Sequence, residues 1–379
     1  MIDLLESGRT SWVEAEMCPC SSSPSKGKWT KLGGVKGGSL NWKLYSTMKT
    51  SGQLSVVGAK MPTNCYVRVY YCMRLGGKEE RDLLGTYYAD PQSGRIEDGL
   101  YTGTVKLVST LQRFEDYKLY QNLTLKKYGS IREFANKVLK MTGGEYVNTL
   151  TNSTVGMPNS SGHDVLYEFG TKAMDILQDL AAIDLARLTV DKYGRLTFVK
   201  RNRYGWANPT TIKPLDGVDM DGSGFGTPNV FAVRQNVEVE VVKDYRLVKT
   251  YEKPFIGTAS LDPSDEWSAS KTGRKVVQTY DLTDTAKSSG TEEQLRKSYD
   301  YEAKLRLNRF LGESFTTTLR VPYSRIGLDS YVKAGDFKGN VTAIDMDLNG
   351  PMGVMKVTIG STEEEDQAMR ARASEIRNG

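Results

Sequence analysis

Few residues in this chain are equipped for chemistry, and their spacing argues against most of it. Histidine occurs once, at His163, in the turn-rich segment GMPNSSGHDVLYE. Nucleophile–base catalysis and catalytic zinc sites draw heavily on histidine, and no helical His/Glu spacing surrounds this one. It reads as a loop histidine. Cys18, Cys20, Cys65 and Cys72 are metal ligands by type, but neither pair has the C-x2-C spacing of a zinc knuckle. Cys65 and Cys72 lie an odd number of residues apart in NCYVRVYYCM, so a strand there sends them to opposite faces. All four read as reduced structural thiols.

Three other motifs fail on closer inspection. DMDGSGFG places Asp219, Asp221 and Ser223 at positions 1, 3 and 5 of a calcium loop and Gly224 at position 6. Position 12 is Val230 instead of glutamate, and no helices flank the loop, so a polar turn is expected. Gly33, Gly34, Gly37 and Gly38 in GGVKGGS lack phosphate-loop spacing and read as a turn or hinge. Asp262, Asp265 and Glu266 in LDPSDEW are the carboxylates a cell-wall glycosidase would need in a defined pair, yet acidic residues in a Ser/Pro loop are usually solvated. The Asn-x-Ser/Thr triplets at Asn122, Asn152, Asn159 and Asn340 carry little weight without a secretion signal. The expectation is no catalytic residue, no cofactor and no metal.

The elements around these residues are mostly strands. LNWKLYST, SGQLSVVGA, CYVRVYYCMRL, LLGTYYAD and LYTGTVKLVSTL are short runs punctuated by glycine-rich turns, the pattern of a small barrel or sandwich. Near residue 128 the period changes. Ser130 to Glu133 form a capping box, and Ile131, Phe134, Ala135, Val138 and Leu139 recur at helical spacing until Gly143-Gly144. A second helix is expected over about 171–187, with Met174, Leu177, Leu180, Ala181 and Leu185 on one stripe. A hairpin follows, turning at Asp191-Lys-Tyr-Gly194. Beyond Tyr204 the chain is β again, with VFAVRQNVEVEVVK and YRLVKTYEKPFIG as long paired strands and GTASLDPSDEWSASKTG as a surface connection. A capping box at Thr291–Gln294 opens a charged helix to about 310, and another at Thr362–Glu365 opens a solvated C-terminal helix. The predicted fold is α+β and mainly β: β-barrel-like domains at 1–115 and 204–361, the second with a helix at about 291–312, flank a helix–helix–hairpin domain at 116–203, with a charged tail at 362–379.

Composition agrees with a packed, non-membrane chain. Of 379 residues, 39% are hydrophobic and 26% charged, enough apolar content for a core and too much for disorder. No run nears the roughly 18 apolar residues of a spanning helix, and the N-terminus lacks a signal-peptide pattern. Lys plus Arg number 51 against 46 for Asp plus Glu, too thin an excess for a nucleic-acid binder.

The succession of strings is more distinctive than any motif. GSLNWKLYSTMKTSGQLSVVG, VRVYY and LLGTYYAD lead to LAAIDLARLTVDKYGRLTFVKR, then to Gly-Thr-Pro-Asn-Val, GRKVVQTYDL and TTTLRVPYSRIGLDSYVKAGD. Over roughly 30–360 this resembles the tail-hub proteins of long-tailed bacteriophages, the fold shared with contractile-tail baseplate hubs. The Cys-Pro-Cys segment and the helical tail depart from that pattern. The resemblance implies a structural, non-enzymatic virion protein of the tail tip, made in the bacterial host cytoplasm. Its partners would be two further copies (a homotrimer), the distal tail protein ring, the tape-measure protein, and tip, fibre or receptor-binding proteins, with DNA as passing cargo and no membrane insertion. Paired β modules in three copies would match a six-fold tube to a three-fold tip. The lumen would then be acidic or neutral, because phosphate contacts to a basic wall accumulate into tight binding. Residues 230–255 are expected near a subunit boundary. The alternative is a receptor- or cell-wall-carbohydrate-binding tail protein, suggested by 21 tyrosines and 5 tryptophans, although aromatics in β domains mostly serve core and interface.

Overall fold

The computed structural model describes residues 10–360, apart from 22, 61, 153–163, 201–208, 216–217, 222–227, 244–245, 265–267, 289–292, 294–295, 298, 305, 308–315, 335–336 and 351–352. His163, Asn159, Ser223, Gly224, Asp265, Glu266, most of the Thr291–Gln294 box and the helix expected at 362–379 lie outside the described residues. The chain divides into two compact bodies: residues up to Asp219 together with Thr318–Ile359, and Met220–Thr317.

The first body is built on a 13-stranded sheet. Val35–Lys43 pairs with Thr50–Ala59, and the antiparallel order continues through Leu100–Ser109, Lys78–Glu97, Cys65–Leu75 and Thr10–Pro19 to the short strand Thr30–Leu32. On its other side Val35–Lys43 accepts Phe337–Asp347, with Lys43 opposite Ala343 and Ser39 opposite Asp347. Val354–Gly360, Thr316–Pro322 and Val218–Asp221 extend that side. Tyr331–Ala334 branches from Phe337–Asp347 and takes Thr210–Thr211 as a parallel neighbour. The sequence leaves open whether the two β-rich segments keep their strands to themselves. They do not: one sheet spans both, and among the described residues no strand pair joins its two ends into a closed barrel.

Alternation explains why this sheet buries one face. Val67, Val69, Tyr71 and Met73 point inward on one strand, as do Leu54 and Val56, and Val105 and Leu107, on others. The sheet folds back so that strands distant in its order share this core. The Tyr71 and Tyr323 rings lie 4.6 Å apart, and a Cβ on Gly353 would fall 2.6 Å from the Tyr71 ring.

Gly37 and Gly38 correct the hinge reading. They lie inside the strand Val35–Lys43, next to a register shift, with φ of 156° and 151°. The Asn349 side chain accepts from Gly38 N–H at 3.1 Å and donates to Gly38 O at 3.2 Å, and a Cβ on Gly37 would sit 2.2 Å from Asn349 Oδ1. These glycines admit a neighbour; only Gly33-Gly34 forms a turn.

A helix–hairpin lobe with its own core occupies residues 111–200 of the first body. In the helix Ile131–Thr142, Ser130 Oγ accepts the Glu133 N–H, and left-handed Gly143 ends the element. Ile131, Phe134, Ala135, Val138 and Leu139 form its buried stripe. The second helix is shorter than its period suggests, Ala173–Ile183. Asp184 and Leu185 N–H groups bond back to Leu180 and Ala182 carbonyls, and Leu185 turns out at φ 50°, leaving its side chain 43% exposed instead of on the stripe. The chain is then in the strand Ala186–Val190, paired with Leu196–Lys200. Asp191 Oδ1 accepts the N–H groups of Tyr193 and Arg195 and sets the hairpin turn, with Gly194 at φ 80°.

In the second body, Val230–Lys243 lies between antiparallel Arg246–Ser260 and parallel Val277–Ser288. Of the helix expected at 291–312, the described residues 293, 296–297, 299–304 and 306–307 are helical. Tyr299, Ala303 and Leu307 pack on Phe231, Val233, Val237 and Phe255. Gly257 lets the helix approach: a Cβ there would lie 2.0 Å from the Tyr299 carbonyl carbon. Asp300 accepts the Thr258 N–H at 2.9 Å, so the helix also satisfies strand backbone. The connection at 257–273 is partly regular among its described residues. Its first residues extend a strand, and Ser268 caps the short helix Ala269–Thr272. Buried Asn229 donates to Arg274 O and accepts the Val276 N–H, holding the far end of the loop.

Candidate functional site

Cys18, Cys65 and Cys72 occupy strands and Cys20 the turn after the first of them. Cys65 joins the core face with Val67 and Val69, whereas Cys72 belongs to the other face, near Glu14 and Arg81. Burial pushes Cys65 up to about 12 and Cys72 up to about 11, and it also raises Cys18 and Cys20. At neutral pH these groups are neutral thiols, poor nucleophiles and poor metal ligands. All four are free cysteines.

The polar turn expected at 219–226 is corrected at its start, where Asp219 and Asp221 lie in the strand Val218–Asp221; positions 222–226 lie outside the described residues. Among the described residues no cluster of three or more His, Cys, Asp or Glu side chains could hold a metal. Asp262 accepts the Ser264 hydroxyl at 2.6 Å and the Ser264 N–H at 2.9 Å, and these bonds hold its carboxyl below the usual range. A glycosidase acid requires the opposite shift.

No local motif announces a cavity of about 440 Å³ in the first body. Trp42, Leu84, Ile344, Met346 and Met355 form much of its apolar wall, and the hairpin turn 189–192 and the loop 323–328 also line it. At its polar side Asp82 Oδ2 accepts from Tyr323 OH at 3.2 Å and from Arg325 Nε at 2.7 Å. Arg325 also reaches Glu80 at 2.9 Å, and Lys78 meets Glu80 at 3.2 Å. Burial, followed by the adjacent Asp82 charge, raises the Tyr323 phenol. The Asp82 carboxylate raises Arg325 further. The lining therefore pairs each carboxylate with a permanent cation and brings no thiol or imidazole to the cavity. It is suited to polar contact, not to acid–base or nucleophilic chemistry. Sequence reasoning missed this network because Asp82 and its partners lie 241 and 243 residues apart.

A second charged array covers the outward face of the N-terminal strands. Glu14 meets Lys31 at 3.0 Å and Arg81 at 3.4 Å; Arg81 also meets Glu16 at 2.8 Å and lies 3.5 Å over the Tyr70 ring. The most exposed large hydrophobic side chains among the described residues lie on the lobe, where Tyr120, Tyr128 and Phe169 are 66%, 71% and 72% exposed.

No protein-family model and no curated protein matches this chain. Solved structures do. The chain is similar to the 43 kDa tail protein of prophage MuSo2 from Shewanella oneidensis, with 12% identity and a TM-score of 0.56 over 93% of this chain and 99% of that one. It is also similar to the tail protein from Neisseria meningitidis MC58, with 11% identity and a TM-score of 0.56 over 94% and 98% of the two chains. At such identities the likeness is one of fold. The chain is mainly β with a small α/β lobe, and its structural neighbours are a prophage tail protein and another tail protein, in agreement with the strand succession described above.

Proposed function

We propose that this chain is a structural hub of a phage tail tip. In this reading three copies close into a ring that joins the six-fold distal tail to three-fold tip or fibre proteins and forms part of the DNA-ejection channel. The observation that carries it is the fold likeness to tail proteins across more than nine-tenths of both chains. Each chain would supply paired β modules, so a closed trimer presents six. The lobe would face tip or fibre proteins, and the strands at 230–255 would lie near a subunit boundary. The protein would act through assembly without catalysing a reaction, as the fully paired carboxylates of the cavity favour. Native mass measurement of the purified chain tests the ring: a trimer is expected, and a monomer at assembly concentrations would overturn it. Imaging of the trimer should show a lumen with few Lys and Arg side chains.

The exposed Tyr120, Tyr128 and Phe169 favour one second reading, a lobe that binds cell-wall or receptor carbohydrate. Glycan-array binding abolished by Tyr120→Ala would support it, and absence of binding would leave the hub alone.

A further inference from the structure

The lobe and the sheet of the first body have separate cores, and their contact differs in kind from either. Among the described residues the two meet through strands as well as turns, and polar contacts join them at several places. Glu145 of the lobe accepts the Ser25 N–H at 2.9 Å, the Ser25 hydroxyl at 2.7 Å and the Ser23 hydroxyl. Thr86 Oγ1 donates to the Lys192 carbonyl at 2.9 Å in the hairpin turn, and Gly194 of that turn lies against Thr86 and Thr110. Arg187 pairs with Asp329 at 3.1 Å, where both side chains are largely buried. The 440 Å³ cavity lies along the same boundary, lined from both sides.

Five buried polar atoms also collect there without a hydrogen bond inside the protein: Tyr87 OH, Thr110 Oγ1, Glu145 Oε2, Ser324 Oγ and Asp329 Oδ1. Each costs desolvation in the seated arrangement and recovers it when wetted. A boundary held by such polar contacts and carrying several such atoms belongs at the low end of local stability. We propose that the helix–hairpin lobe is a hinged element, clasped to the sheet by Glu145, Lys192 and Arg187, which lifts from its seat while both cores remain folded.

Thiol labelling of the full chain tests this. A Thr86→Cys probe sits at the seam, and native Cys65 in the sheet core serves as the internal reference. With a soluble alkylating reagent, peptide-resolved mass spectrometry should show the seam probe labelling about 100-fold faster than Cys65, as expected of a sub-global opening. Adding Asp329→Asn should speed the seam probe about tenfold and leave Cys65 unchanged, because the clasp is weakened without touching either core. Equal labelling of the two thiols, or equal acceleration of both by Asp329→Asn, would overturn the proposal. If Thr86→Cys fails to fold, Thr110→Cys probes the same seam with the same expected outcomes.

Discussion

Gly257→Ala is a sharp test of how the second body is held. The strand conformation at Gly257 suits alanine, so the penalty comes from space. The new Cβ would lie 2.0 Å and 2.1 Å from the carbonyl carbon and oxygen of Tyr299, which are helix backbone and cannot rotate aside. The helix must retreat by more than about 1 Å to restore van der Waals contact. Retreat loosens Tyr299 and Leu307 from Phe231, Val233 and Phe255, and stretches the 2.8 Å bond from Tyr299 OH to Gln235. Full exposure of two such side chains would cost about 1.5–3 kcal/mol each, and overpacking alone typically costs about 1–3 kcal/mol. A partial retreat should therefore destabilise the second body by about 2–4 kcal/mol. For a body of this size that lowers its Tm by roughly 10–20 °C. Calorimetry should show one transition moving down while that of the first body stays in place. Ile256→Ala, at an exposed neighbouring position, should change Tm little. A Gly257→Ala shift of under about 3 °C, or an equal shift of both transitions, would refute the account of the helix seat.

Other outcomes follow from the charge array and the thiols. The bond from Lys31 holds the Glu14 carboxyl below its ordinary value, with Arg81 contributing. Its contribution is therefore complete above the unfolded value and is lost as pH falls through the lower folded one. Urea midpoints from pH 6 to pH 3 should drop less steeply for Glu14→Gln than for the parent, by only a few tenths of a kcal/mol because the pair is partly solvated. With Cys65 at about 12 and Cys72 at about 11, native protein at pH 8 should alkylate first at the less buried Cys20. Peptide mapping that found Cys65 modified first would contradict the buried placement.

Local features were legible where the physics is local. Period-two alternation in CYVRVYYCM places Val67, Val69 and Tyr71 on one face, and the Ser130 cap with Gly143 bounds a helix within a residue. The end of the second helix was hidden because Leu185 continues an apolar stripe that the backbone abandons at Asp184, whose carboxylate is drawn to the Thr151 N–H. The pairing of Phe337–Asp347 with Val35–Lys43 leaves no local trace, since strand patterns record which face is buried and not which neighbour is present. The cavity network was invisible for the same reason: Asp82, Tyr323 and Arg325 acquire meaning only when the sheet folds back.

That long-range pairing also bears on how the chain is made. Gly38 and Asn349, which bond across the junction, are 311 residues apart. At about 5–20 residues per second, a ribosome leaves the bare side of Val35–Lys43 waiting roughly 15–60 s for its neighbour. An unpaired strand flank is a template for foreign strands during that interval, so recombinant yield should depend on slow, cool expression or on chaperones that shield the nascent sheet.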